Sequence, residues 1–126
     1  MNILFLDDCP QRTKFFRSNC PSAHCVETAK EVIDILSKDE TIDALFLDHD
    51  LGGLTFVDSN RPDTGMEVVR WIISNHPNIK KIIVHSLNDE AAFEMITALK
   101  DAGYLTERVP FLRLNCDAIT RLTTAS

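Results

Sequence analysis

The sequence predicts one α/β domain built around a five-stranded parallel sheet. Short, continuous apolar runs alternate with helical apolar stripes five times along 126 residues, and two of the runs stop at aspartates. An unbroken apolar run between polar residues is the pattern of a strand buried on both faces. Regular strand–helix alternation then implies a parallel sheet covered by helices on both sides, a three-layer arrangement. The length fits a single domain spanning 1–126 and buries enough apolar surface to fold without disulfides or a structural metal.

The elements follow in order. Ile3-Leu4-Phe5-Leu6 is the first strand and ends at Asp7-Asp8. Pro10 suits the first turn of the helix behind it, whose apolar members include Phe15 and Phe16. His24 to Glu27 is a weaker second strand. Thr28 and Glu31 have capping-box spacing, followed by the stripe Val32, Ile33 and Leu36. Ala44-Leu45-Phe46-Leu47 is the third strand and ends at Asp48. Thr64 and Glu67 repeat the capping-box spacing at the start of a helix whose buried face is Met66, Val69, Ile72 and Ile73; Trp71 is read as packing, and Pro77 lies beyond the end. Ile82-Ile83-Val84 is the fourth strand. The next helix carries Ala92, Met95, Ile96 and Leu99, with Gly103 placed to cap its end. A fifth strand falls within Tyr104 to Val109, and the tail from Asp117 has a weak helical pattern. Leu51 to Asp63 is longer than connections in compact domains usually are, which marks a functional segment or a tolerated insertion.

Hydrophobic residues make up 44% and charged residues 25%, an ordinary globular balance. The net charge of −6 argues against non-specific nucleic-acid binding, while leaving room for a phosphate held through a cation. No segment has the apolar length of a membrane span, and the start lacks the basic and apolar regions of a signal peptide, so a cytoplasmic location is expected. Cys9, Cys20, Cys25 and Cys116 form no C-x-x-C pair and are expected to be reduced thiols.

Right-handed crossovers put the carboxyl ends of parallel strands on one edge, where ligands of open α/β sheets bind. Asp7, Asp8, Asp48 and Asp50 fall on that edge. Converging carboxylates need protons or a cation to neutralise them, and hard oxygen donors suit Mg²⁺, Mn²⁺ or Ca²⁺. The alternative is that they cap helices. His85, Ser86 and Asn88 follow the fourth strand on the same edge, where a hydroxyl and an amide can bind a phosphoryl oxygen and a histidine can move protons. Ser86 and Asn88 equally suit the cap of the next helix. His49 is flanked by two acids and is either an acid–base group or a loop histidine; His24 and His76 are assigned no function.

These residues resemble a known family. Leu4-Phe5-Leu6-Asp7-Asp8 is similar to the first strand and acidic pair of response-regulator receiver domains, and Ala44 to Asp48 to their phosphoacceptor strand. Ile82 to Ser86 resembles the fourth strand, with Ser86 in the Ser/Thr position, and Val109-Pro110-Phe111 resembles the terminal Lys-Pro-Phe stretch. The lysine of that stretch is Val109 here, and Arg108, one residue away, points to the other face of a strand. Leu47-Asp48-His49-Asp50-Leu51-Gly52 and His85-Ser86-Leu87-Asn88 look like the divergent cyclic-phosphate processing receiver family. The resemblance implies a flavodoxin-like fold with strand order 2-1-3-4-5. It implies one Mg²⁺ or Mn²⁺ on Asp8, Asp48 and the Asp50 carbonyl, with Asp7 direct or through water. The function then expected is metal-dependent hydrolysis of a cyclic phosphate or related nucleotide. Ser86, Asn88 and Arg61 would bind phosphate, and His49, Asp50, His85, Ser86 and Asn88 would take part in catalysis. The segment Leu54 to Asp63 is expected to close over ligand. A phosphoacceptor or pseudo-receiver module, and a nucleotide sensor without turnover, are the alternatives.

Overall fold

The computed structural model describes residues 2–51, 61 and 63–124. Five apolar runs form the strands β1 (Ile3–Leu6), β2 (His24–Val26), β3 (Ala44–Leu47), β4 (Ile82–Val84) and β5 (Thr106–Arg108). All neighbours pair in parallel, in the order β2-β1-β3-β4-β5. That is the flavodoxin-like order, with β1 and β3 adjacent at the point where the strand sequence reverses. The helices are α1 (Pro10–Asn19), α2 (Ala29–Leu36), α3 (Gly65–Asn75), α4 (Asp89–Asp101) and α5 (Cys116–Thr123), with a 3₁₀ turn at Phe111–Arg113. The expected element order is therefore present, and the weakly patterned tail forms a complete two-turn helix.

Alternation along the strands sorts the core into two layers. Leu4, Leu6, Leu45, Leu47, Ile82 and Val84 pack against α2, α3 and α4, where Val32, Val68, Val69, Ile72, Met95 and Leu99 are buried. Ile3, Phe5, Phe46 and Ile83 face α1 and α5, meeting Phe16, Cys20, Ile119 and Leu122. The first layer is aliphatic. In the second, Phe5 stacks on Phe16 at 4.1 Å between centroids and Phe46 meets Phe16 edge-on at 4.8 Å.

Local capping explains where the helices begin. Thr28 caps α2, its Oγ1 accepting the Glu31 amide, while the Glu31 carboxylate accepts the Thr28 hydroxyl. Asn88 caps α4 by accepting the Ala91 amide. The capping box expected at Thr64 and Glu67 does not form: Thr64 Oγ1 donates to the Arg61 carbonyl, and Glu67 pairs with Arg70. The buried face of α3 also runs through Gly65, Val68, Val69 and Ile72, leaving Ile73 exposed. Gly103 takes φ of +95° just beyond α4, the left-handed conformation that ends a helix. The four cysteines are free thiols. No described helix is long and apolar enough to cross a membrane.

Candidate metal and phosphate site at the strand ends

The period of two that sorts the core also sorts the charges. Asp7 lies two residues beyond Phe5, Asp48 two beyond Phe46, and His85 two beyond Ile83. Each backbone is held by one more rung of the ladder: Asp7 N–H donates to Val26 O, Asp48 N–H to Leu6 O and His85 N–H to Leu47 O. All three side chains are buried, and one donor atom from each lies within 4.8 Å of the others. His85 Nε2 is 3.0 Å from Asp7 Oδ2. The imidazole stacks on Phe5 at 4.8 Å and meets Phe111 edge-on at 6.1 Å, so the apolar layer fixes its plane.

Arg12, on the first turn of α1, closes the group. Its Nε is 3.0 Å from Asp7 Oδ2 and its Nη2 is 3.6 Å from Asp48 Oδ2. The two acids respond differently. Burial raises the Asp7 carboxyl, but the hydrogen bond and charge of His85, the Cys9 amide and Arg12 outweigh it, so its pKa falls below the usual range. Asp48 is pushed up to about 6, chiefly by burial and further by the neighbouring Asp7 charge, against the pull of His85 and Arg12. Its Oδ1 accepts the His49 amide, whereas Oδ2 is buried with no hydrogen-bond donor among the described residues.

The remaining predicted residues gather on the other side of the strand ends. His49 is fully buried, with Nδ1 2.8 Å from Asp50 Oδ1. Asn88 Nδ2 donates to the same oxygen at 3.4 Å, so Asp50 links the third- and fourth-strand segments. Ser86 Oγ accepts the Asn88 amide, and the Asn88 carbonyl is committed to the α4 cap. The capping reading of Asn88 therefore holds through Oδ1, while Nδ2 is turned to Asp50. Asp8 is half-buried and falls outside the three-residue group of Asp7, Asp48 and His85. Arg61 pairs with Asp63 at 2.8 Å on the surface. The segment expected to close over ligand, Leu54 to Asp63, lies outside the described residues except for Arg61 and Asp63. Val109 is buried in the aromatic layer, and Arg108 reaches Ser86 O and Asp89 instead of the acids.

Two residues at the site escaped the sequence reading. Arg12 was not singled out because nothing local distinguishes it from a solvated helix cation; its place five residues after Asp7, in the turn opened by Pro10, was the available signal. Gly65 begins α3 with its amide on His49 O, and a Cβ there would lie 1.9 Å from Asp48 O. Only glycine lets α3 press on the backbone between the two acidic segments. The Asp63-Thr64-Gly65 sequence gave a hint, a glycine inside a helix start where it is otherwise unfavourable.

The donor set fits a divalent cation. Two buried carboxylates and an imidazole converge, and among the described residues Asp48 Oδ2 accepts no hydrogen bond, Arg12 Nη2 standing off at 3.6 Å. A nitrogen donor among them suits Mn²⁺ better than Mg²⁺. The family model of the cyclic-phosphate processing Receiver domain matches residues 2–101. No curated protein matches the chain.

Proposed function

Since the chain belongs to the cyclic-phosphate processing receiver family, we propose that it opens a cyclic phosphate or related nucleotide by metal-assisted hydrolysis at the strand ends. The observation that carries this reading is the buried group of Asp7, Asp48 and His85 with Arg12 beside it. Asp7, Asp48 and His85 would hold the divalent cation, with Asp8 and the Asp50 carbonyl at its border. When bound, such a cation neutralises a phosphodiester and lowers the pKa of water on it.

The chain's own groups divide the remaining work. Arg12 is a planar donor suited to non-bridging phosphoryl oxygens, and it is nearer the acids than the surface pair Arg61–Asp63. The Ser86 hydroxyl and Asn88 Nδ2 supply preorganised donors from the other strand end. Asp50 fixes the ring of His49, as an acid does for a histidine that moves protons. His85, gripped by Asp7 and the aromatic rings, holds the cation in place of a proton-transfer task.

The same geometry disfavours a phosphoacceptor role. The fifth-strand cation of signalling receivers is replaced by buried Val109. Little long-lived acyl phosphate is therefore expected on Asp48. The test is a panel of 2′,3′-cyclic and 3′,5′-cyclic nucleotides with Mn²⁺ or Mg²⁺, scored for ring opening, beside calorimetry with each metal. Turnover and saturable metal binding in the wild type, both lost in Asp48→Asn, are expected. Metal binding that is unchanged in Asp48→Asn, or ring opening that needs no metal, would overturn the proposal.

A further inference from the structure

Helix α1 is unlike the other helices. In a three-layer fold the helix stripe facing the sheet is normally apolar. In α1 only Phe16 is buried, and the residues at Pro10, Thr13, Lys14, Arg17 and Ser18 follow the spacing of one helical face. That polar stripe stands over β2, the edge strand of the sheet, and leaves a cavity of about 480 Å³ whose far wall is Cys25, Val26 and Glu27. The volume is in the range of small-molecule sites.

The charges in this cavity run against the rest of the chain. The protein carries −6, yet α1 has three cations, Arg12, Lys14 and Arg17, and no acid. Arg12 turns to Asp7 and Asp48. Lys14 and Arg17 line the cavity, and among the described residues neither lies within ion-pair distance of a carboxylate. Arg17 lies beside the Cys25 thiol, which burial holds up and therefore neutral, so the guanidinium charge is not offset there. Across from these cations, Glu27 follows the carboxyl end of β2. An ionised carboxylate accepts hydrogen bonds only, so Glu27 complements the hydroxyl groups of a ligand whose anionic end lies on the cations.

We propose that the groove between α1 and β2 is a second ligand site, separate from the acidic centre, that binds a phosphorylated sugar or nucleotide. Lys14 and Arg17 take the phosphate, the Thr13 hydroxyl supports them, and Glu27 accepts from the sugar hydroxyls. Two cations three residues apart on a helix present both charges to one anion, and Arg can bind phosphate through two parallel N–H donors. The cavity lies on the α1 side of the sheet edge, while the acidic centre lies between β1, β3 and β4, so the two sites share a helix and use different residues of it.

The test follows backbone amide signals of the full chain by NMR during titration with adenosine 5′-monophosphate, and in parallel with adenosine, in the presence of a chelator. Saturable shifts at Thr13, Lys14, Arg17, Cys25, Val26 and Glu27 are expected with the monophosphate, with adenosine at least about tenfold weaker, since charge-assisted contacts of this kind are each worth roughly that factor. The exposed pair of substitutions Lys14→Gln and Arg17→Gln should erase the difference between the two probes. Asp48→Asn should leave it intact. Equal affinity for the two probes, the same preference in the Lys14→Gln/Arg17→Gln protein, or shifts confined to Asp7, Asp48 and His85, would overturn the proposal. None of these outcomes bears on cyclic-phosphate turnover.

Discussion

Phe5, Phe46 and Ile83 point toward α1 and α5, while Leu4, Leu45 and Ile82 of the same strands point toward α2, α3 and α4. The layers differ in chemistry and end in different groups. The aromatic layer runs into Asp7, Asp48 and His85, a buried charged cluster bordered by half-buried Arg12. The aliphatic side ends near His49, Asp50, Ser86 and Asn88, a hydrogen-bonded set tied to the start of α4. Rigid aromatic packing suits the first, because a buried acid pair stays oriented only if its surroundings cannot relax. The second set borrows its order from a helix cap. One side is thus organised by packing and the other by backbone capping, and substitutions at each should fail in different ways.

The largest expected effect separates the two histidines. His49→Ala should lower turnover by about 10²–10⁴, the usual worth of a positioned acid or base, while Mn²⁺ affinity stays within a few-fold of wild type. His85→Ala should lose Mn²⁺ affinity as well. Calorimetry beside ring-opening assays checks the pair, and equal losses of metal affinity in both variants would erase the distinction between the two sides.

The two buried acids sharpen the comparison through pH, measured without metal. Asp48 has a folded-state pKa raised from 3.8 to about 6, so its neutral form is favoured by folding. The stability it contributes is present below pH 3.8 and is lost as pH rises through about 6. Asp48→Asn should therefore stabilise the protein at pH 8 by about 3 kcal/mol, and the gain should vanish by about pH 4, as read from urea unfolding. Asp7 has the opposite sign. Its pKa is lowered, so its contribution is present above 3.8 and is lost as pH falls through the folded value. Asp7→Asn should cost stability at pH 7 and cost less in acid. Parallel pH profiles for the two variants would contradict the assignment of His85 and Arg12 to Asp7.

Gly65→Ala tests the joint between the sides. A methyl group placed 1.9 Å from Asp48 O must displace backbone, since no flexible side chain is there to yield. A loss of about 1–3 kcal/mol is expected, in the range of overpacked sites, together with weaker metal binding because Asp48 moves. Unaltered Mn²⁺ affinity would show that α3 does not position Asp48.

The smallest effect is at Asn88. Asn88→Ala removes the α4 cap and should cost about 1 kcal/mol. Asn88→Asp keeps a capping oxygen and removes the amide donor to Asp50, so stability should stay near wild type while turnover falls. Matching stability losses in the two variants would mean that the cap is not what Asn88 supplies.

Much of this arrangement was legible in the residues. Unbroken runs such as Ile3–Leu6 and Ala44–Leu47 specify buried strands because neither face tolerates a polar group, and their ends at Asp7 and Asp48 mark the edge where charge collects. Sequence could not rank the members of the acidic pair: Asp7 and Asp8 are equivalent neighbours until burial, His85 and Arg12 make Asp7 the interior one. The Thr64–Glu67 spacing looked the same as Thr28–Glu31, yet Arg61 and Arg70 drew the two side chains away from the α3 cap. Arg12 and Gly65 carry only faint local signals, for a common reason. Their roles rest on contacts between segments distant in sequence, α1 with β3 and α3 with β3, and no local propensity encodes a partner that only the folded chain brings near. Local patterning thus determined which residues form strands and which acids end them. Long-range packing decided which acid's pKa falls and which rises, which cation answers them and where a side chain has no room.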